Sequence, residues 1–137
     1  MKWMLPIAGA VALAGCQTAG DRAERQERLD AEIAARQGAE VDRICFARSV
    51  NGWRSLGRDA LLLREGVSDW YKVDLAGTCD PEWAFNAIGL ETRPAGSSCL
   101  SRGDHISTPD APIGGRCVIT AIHEWDEDAE IPDAPEE

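Results

Sequence analysis

The chain has 137 residues and a formal net charge of −10, a length that suits one domain rather than two. The acidity is uneven: residues 17–42 carry −3, residues 43–125 carry −1 and residues 126–137 carry −7. The central part is therefore near neutral, which excludes the basic footprint of a nucleic-acid binder and a broadly anionic surface for capturing basic partners.

Lys2 precedes an apolar stretch from Trp3 to Ala14, which closes on Leu13-Ala14-Gly15-Cys16. A charged start, a short apolar run and small residues at a cut site have the layout of a secretory signal peptide. The run is shorter than the roughly 20 apolar residues of a membrane span. Leu-Ala-Gly-Cys resembles the lipobox of bacterial lipoproteins. The resemblance implies removal of residues 1–15, a diacylglycerol on the Cys16 thiol and acylation of the new amine. Gln17 stands where an Asp tends to retain such proteins in the inner membrane, so the resemblance implies an outer-membrane anchor with the domain facing the periplasm. Several acyl chains anchor firmly where one is marginal. A plain signal peptide, with no role for Cys16, is the alternative.

Residues 16–42 read as the lipidated Cys and a helical or flexible tether. Asp21 and Glu24 have capping-box spacing. Asp21/Arg25, Glu24/Arg28 and Glu32/Arg36 each set an acid four residues ahead of a base, which supports a solvated helix. Gly38 suits a helix stop. The apolar side, Ala23, Leu29, Ile33 and Ala34, is too thin for much burial, so a stalk is expected rather than a partner-binding coiled coil.

Residues 43–125 read as a disulfide-stapled β domain. Ile44 to Ala47 is a first strand, and Asn51-Gly52 a turn. Ala60 to Arg64 and the alternating Trp70 to Leu75 form a hairpin across Gly66 and Asp69. Pro81 to Phe85 begins as a helical turn with Pro in first position. Asn86–Thr92 and Gly103–Ser107 are short strands, and Pro109–Gly115 is a loop. Cys117–Trp125, rich in β-branched residues, is the strongest strand. Six short strands predict a mainly β fold, a small six-stranded barrel or sandwich behind a helical stalk. Residues 126–137, with seven acids, no base and two prolines, read as a disordered acidic tail, for which a solubilising role suffices.

Cys45, Cys79, Cys99 and Cys117 remain after Cys16. An even number in an exported domain predicts two disulfides, and the absence of Cys-x-x-Cys argues against a redox or zinc motif. Three pairings are open. Cys45–Cys117 with Cys79–Cys99 is expected, because closing a barrel would make the first and last strands neighbours. The order Ile44-Cys45, Trp70-Tyr71-x-Val73-x-Leu75, Cys79, Cys99, Asp104-His105-Ile106 and Cys117-x-Ile119-x-x-Ile122 resembles a group of small proteobacterial envelope lipoproteins sharing a domain of unknown function. That likeness implies a fold type and a location, and no activity.

Motifs for nucleophilic, phosphate-binding, dinucleotide-binding and metalloprotease chemistry are absent, and no cofactor is expected. Asp104-His105 and His123-Glu124 could form a metal or acid–base site if their strands were neighbours. Adjacent residues of a strand point to opposite faces, however, which disfavours it. Arg102-Gly103-Asp104 resembles an integrin-binding tripeptide, but Gly103 suits a turn more simply. Trp70 falls opposite Tyr71 and Val73, so Trp70, with Trp53 beside it, is the candidate partner contact; core filling competes for both. The expected function is a lipid-anchored periplasmic binding or structural module, not an enzyme, with an envelope protein or glycan as partner. An inhibitor of a cell-wall hydrolase such as lysozyme and an enzyme built on Asp104, His105 and His123 are the alternatives.

Overall fold

The strand that organises the molecule is the last of those described, Gly115–Trp125, with β5 on one side and two separate partners on the other. The computed structural model describes residues 17–45, 47–84, 86–94, 97–112 and 115–132. In chain order the elements are α1 (Gln17–Arg36), β1 (Gln37–Val41), β2 (Arg43–Cys45), β3 (Val50–Ser55), β4 (Ala60–Glu65), β5 (Asp69–Gly77), β6 (Gly89–Glu91), β7 (Cys99–Ser101), β8 (His105–Thr108) and β9 (Gly115–Trp125). Short 3-10 turns occupy Ala47–Ser49 and Pro81–Trp83.

The protein is mostly β, with one helix ahead of a sheet curled into a half-barrel. The main sheet runs β3-β4-β5-β9-β8-β6, with β1 also paired to β9, and every pairing is antiparallel. β8 takes the first half of β9 and β1 the second. β2 and β7 form a separate two-stranded sheet. The hairpin of β4 and β5 and the long β9 follow the alternation in their sequences.

Three segments depart from the sequence reading. Asn51-Gly52 is not a turn but part of β3, accommodated by a register shift between Val50 and Gly52. Gln37–Val41, expected as tether, is a strand, because β9 offers it a free edge. The short β7 opposite β2 has no counterpart in the sequence reading, and with β1 and β3 it brings the described strands to nine rather than six.

The inner face of the sheet carries the larger core: Ile44, Leu61, Leu63, Val73, Leu75, Cys79, Leu100, Ile106, Cys117, Ile119 and Ile122. A register shift between Asp74 and Leu75 sets Asp74 opposite Ala121 and Leu75 opposite Ile119. The residue left over on β9 is Thr120, and this bulge lets Ile119 and Ile122, three apart, both face inward. Beyond it Ala121, His123 and Trp125 face outward. Ile44 and Leu100 sit directly opposite each other in the β2–β7 pair and close over the inner face like a lid.

The outer face is covered by α1. Its sequence is rich in Ala, Glu, Arg and Gln, all good helix formers. Leu29 and Ile33, one turn apart, pack against Leu56, Ala60, Leu62 and Trp125, so the C-terminal half of the helix belongs to the domain rather than to a free stalk. Arg36 suits the negative end of the helix and pairs with Glu32 at 3.2 Å. The Arg36 carbonyl accepts a 2.9 Å bond from the Asp126 backbone N–H, satisfying a group that a helix end otherwise leaves open. The acidic segment thus begins in contact with the fold: Glu127 meets Arg54 at 3.0 Å and accepts from Trp125 Nε1 at 2.8 Å. Residues 133–137 lie outside the described residues.

Candidate functional site

The four core cysteines form two disulfides, and their pairing corrects the expectation. The bonds are Cys45–Cys99 and Cys79–Cys117, not Cys45–Cys117 with Cys79–Cys99. The reason is topological. Cys45 and Cys99 are direct register partners in the β2–β7 pair. Cys117 lies opposite Gly77 on β5, which brings Cys79, two residues on, beside it. The half-barrel never sets the first strands against the start of β9. Gly115 lies here too, so close that a Cβ would fall 2.5 Å from the Thr78 carbonyl oxygen; no residue but glycine fits without backbone movement.

Asp104, His105 and His123 do not converge. His105 sits opposite Val118, and His123 lies five residues further along β9, on the order of 16 Å at strand rise. Asp104 is 2% exposed and turned into the fold. Its carboxylate accepts from the Arg93 N–H at 2.9 Å and the Ser101 N–H at 2.7 Å. Its carbonyl accepts from the Ile119 N–H at 2.8 Å. Both oxygens and the backbone are spent on holding β7, β8 and the Arg93 segment together. Among the described residues, no group of three or more His, Cys, Asp or Glu could hold a metal ion.

His123 belongs instead to an outer-face cluster that motif reading overlooked. Lys72, 7% exposed, reaches Asp74 Oδ1 at 2.7 Å and donates to Gln37 Oε1 at 2.7 Å. Asp74 Oδ2 lies 3.6 Å from His123 Nδ1, a nitrogen buried without a hydrogen-bond partner. The alternation that puts Trp70 opposite Tyr71 puts Lys72 and Asp74 there too, so the cluster was implicit in β5. A lysine, an aspartate and an imidazole can share protons or bind an ion, but here the lysine and aspartate already satisfy each other.

Trp53 and Trp70 do not form one patch. Trp70 is half-buried on the outer face, beside the α1 cluster, with the Arg64 guanidinium 5.7 Å from its ring centroid, within cation–π range. Trp53 packs against the inner core, and its Nε1 donates to the Ala84 carbonyl at 2.9 Å. The register explains the separation: Trp53 shares a row with Leu63 and Tyr71, and Trp70 shares the next row with Arg64 and Trp125.

A shallow depression of about 330 Å³ opens where β5 begins and β9 ends, lined by Trp70, Tyr71 and Trp125 with Asp69, Glu124 and Asp126 at hand. Burial, and then the negative charges of Glu65, Asp69 and Glu124, push the Tyr71 phenol above its ordinary pKa. On the neighbouring outer face, burial works against the Arg54 charge, yet bonds to Glu32 and Glu127 outweigh it and raise the guanidinium's pKa. Cys16, the anchor implied by the lipobox, lies outside the described residues. No helix among the described residues is long and apolar enough to cross a membrane.

No curated protein and no solved structure matches the chain. The sequence pattern of a "Family of unknown function (DUF6491)" matches residues 1–133. This match takes in the apolar N-terminal stretch of the sequence, the helix, both disulfides and the nine described strands, and the chain is a member of that family.

Proposed function

We propose that this chain is a lipid-anchored module of the bacterial envelope that acts by binding and not by catalysis. The observation that carries the reading is the pairing of all four core cysteines into two disulfides behind the Leu13-Ala14-Gly15-Cys16 segment. Disulfides persist in oxidising compartments, and a lipobox-like cysteine supplies the means of staying there. α1 begins at Gln17, the residue after Cys16, so the helix that packs on the sheet also leads directly to the anchor. The contact surface is the end of the sheet around Trp70, and its partner is an envelope protein or a glycan.

Fractionation of cells expressing the wild type and Cys16→Ser tests the anchor. The wild type should carry acyl chains and sediment with outer membranes in high salt, while the variant is released or left unprocessed. A variant that is cut normally and still sediments ends the lipoprotein reading. Complementation of a deletion phenotype then separates binding from catalysis. The double variant His105→Ala/His123→Ala should complement and Trp70→Ala should not, at equal abundance; the reverse result favours an enzyme.

A further inference from the structure

The two disulfides sit in different surroundings. Cys79–Cys117 is part of the inner core, with Cys79 9% and Cys117 2% exposed. Cys45 and Cys99 are both only half-buried. They face each other in the β2–β7 pair, and among the described residues those two strands pair with no other. Their neighbours Ile44 and Leu100 are 1% and 0% exposed and point into the core. Successive side chains of a strand point to opposite faces, so the Cys45–Cys99 sulfurs lie on the outer side of the lid. Thiol–disulfide exchange needs a thiolate to reach one sulfur, and its rate depends on that access.

We propose that Cys45–Cys99 is a reducible clasp on the β2–β7 lid, opened by a dithiol reductant while Cys79–Cys117 stays closed. A thiolate of the reductant attacks one sulfur of the pair. The chain's S–S bond breaks, the other cysteine leaves as thiolate, and a mixed disulfide forms. The second thiol of the reductant, deprotonated, then displaces the chain's sulfur. The chain ends with two thiols, having taken up two electrons and two protons, and the reductant ends as a disulfide.

Opening the clasp frees two short segments 54 positions apart in sequence. Each strand of the lid is three residues long, and its ladder gains one further backbone bond, Ala47 N–H to the Ser98 carbonyl at 2.7 Å. The far end of β7 is held more firmly: Ser101 is bonded to Asp104, and Gly103 donates to the Ile119 carbonyl at 2.9 Å. The reduced lid therefore loosens from the Cys45–Cys99 end and hinges at the Asp104 turn. Beneath it lies the apolar inner face of the half-barrel, including Leu61, Leu63 and Val73.

The test uses the full chain under native conditions with graded dithiothreitol. Free thiols are alkylated with a light reagent, and the remaining disulfides are reduced and alkylated with a heavy one. Peptide mass spectrometry should find Cys45 and Cys99 reduced together at least about tenfold faster than Cys79 and Cys117, as expected when access controls exchange. Amide hydrogen exchange should then rise across residues 43–45 and 99–101 while residues 60–65 and 115–125 stay protected. Equal reduction rates, prior loss of Cys79–Cys117, or a reduced lid with unchanged exchange overturns the clasp. The double variant Cys45→Ser/Cys99→Ser should fold, keep Cys79–Cys117 and show the same local exchange. If it unfolds throughout, the bond is a staple of the whole domain and the proposal fails.

Discussion

The two faces of the main sheet bury different chemistry. The inner face is apolar almost throughout, from Leu61 on β4 through Val73 on β5 to Ile122 on β9. The outer face sets Leu62 and Trp125 among Lys72, Asp74 and His123, and is roofed by a helix touching it through Leu29 and Ile33. Apolar burial contributes about 25 cal/mol per Å², so stability should be concentrated on the inner face. The outer face divides its area between the apolar patch under α1 and partnered charge, and its partly exposed ion pairs can change at small cost to the fold.

The sharpest test of that asymmetry is a truncation inside. Leu61, fully buried, should lose about 3 kcal/mol of stability on replacement by alanine, the usual price of a buried leucine, read by equilibrium urea unfolding. A loss below 1 kcal/mol, on the order of a surface change, would mean that the inner face is not the main store of stability. Asp104→Asn comes next. Its carboxylate accepts from two backbone N–H groups, and the amide offers one acceptor and one unwanted donor. The cost should be about 2 kcal/mol, with faster hydrogen exchange at Ser101 and Arg93. Exchange unchanged at both amides would remove Asp104 from the role of turn organiser.

On the outer side Glu127→Gln should cost only about 0.5 kcal/mol, because it weakens partly exposed ion pairs to Arg36 and Arg54. The difference from wild type should shrink at high salt, which screens exposed charges; a salt-independent loss of several times that size would instead make the acidic segment part of the core.

The smallest effect concerns Tyr71, the single tyrosine of the chain. Its folded phenol titrates above the ordinary value of 10.0, through burial first and then Glu65, Asp69 and Glu124. The stability tied to the neutral phenol is fully present below that ordinary value and is lost as pH rises through the higher folded one. Phenolate absorbance of the folded protein should therefore lag behind that of the urea-unfolded protein, and Tyr71→Phe should lessen the alkaline loss of stability. Coincident titrations would show that Tyr71 is open to water.

The parts of the fold legible in the sequence are those whose local pattern decides their structure. The β4–β5 hairpin, the long β9 and the turn at Pro81, with Asp80 accepting from the Glu82 N–H at 3.0 Å, all carry their own cues. Gln37–Val41 carries none: Gln-Gly-Ala-Glu-Val has little strand character and becomes a strand because β9 has an unfilled edge. Asn51-Gly52 gives a strong turn signal that pairing with β4 overrides. The disulfide connectivity depends on which strands meet, which four cysteine positions do not encode. Among candidate site residues, the outward placement of Trp70 was readable from alternation, but its cover of Arg64 and α1 was not. Asp104 reads in sequence only as a member of a disfavoured metal or acid–base site, and its structural role is not legible there, because the two N–H groups it serves come from residues 93 and 101.

Because β9 follows in sequence every strand it joins, it governs how the chain acquires its structure during synthesis. A chain emerging N-terminus first can form the β3-β4-β5 meander early, since its pairings are local. Until Gly115–Trp125 follows, β1 and β8 lack the strand they both pair with, and β5 presents an open edge. Assembly of the sheet thus waits on residues 115–125. A chain halted before residue 115 is an unclosed intermediate, with the apolar side of β4 and β5 exposed to whatever chaperone or protease it meets first.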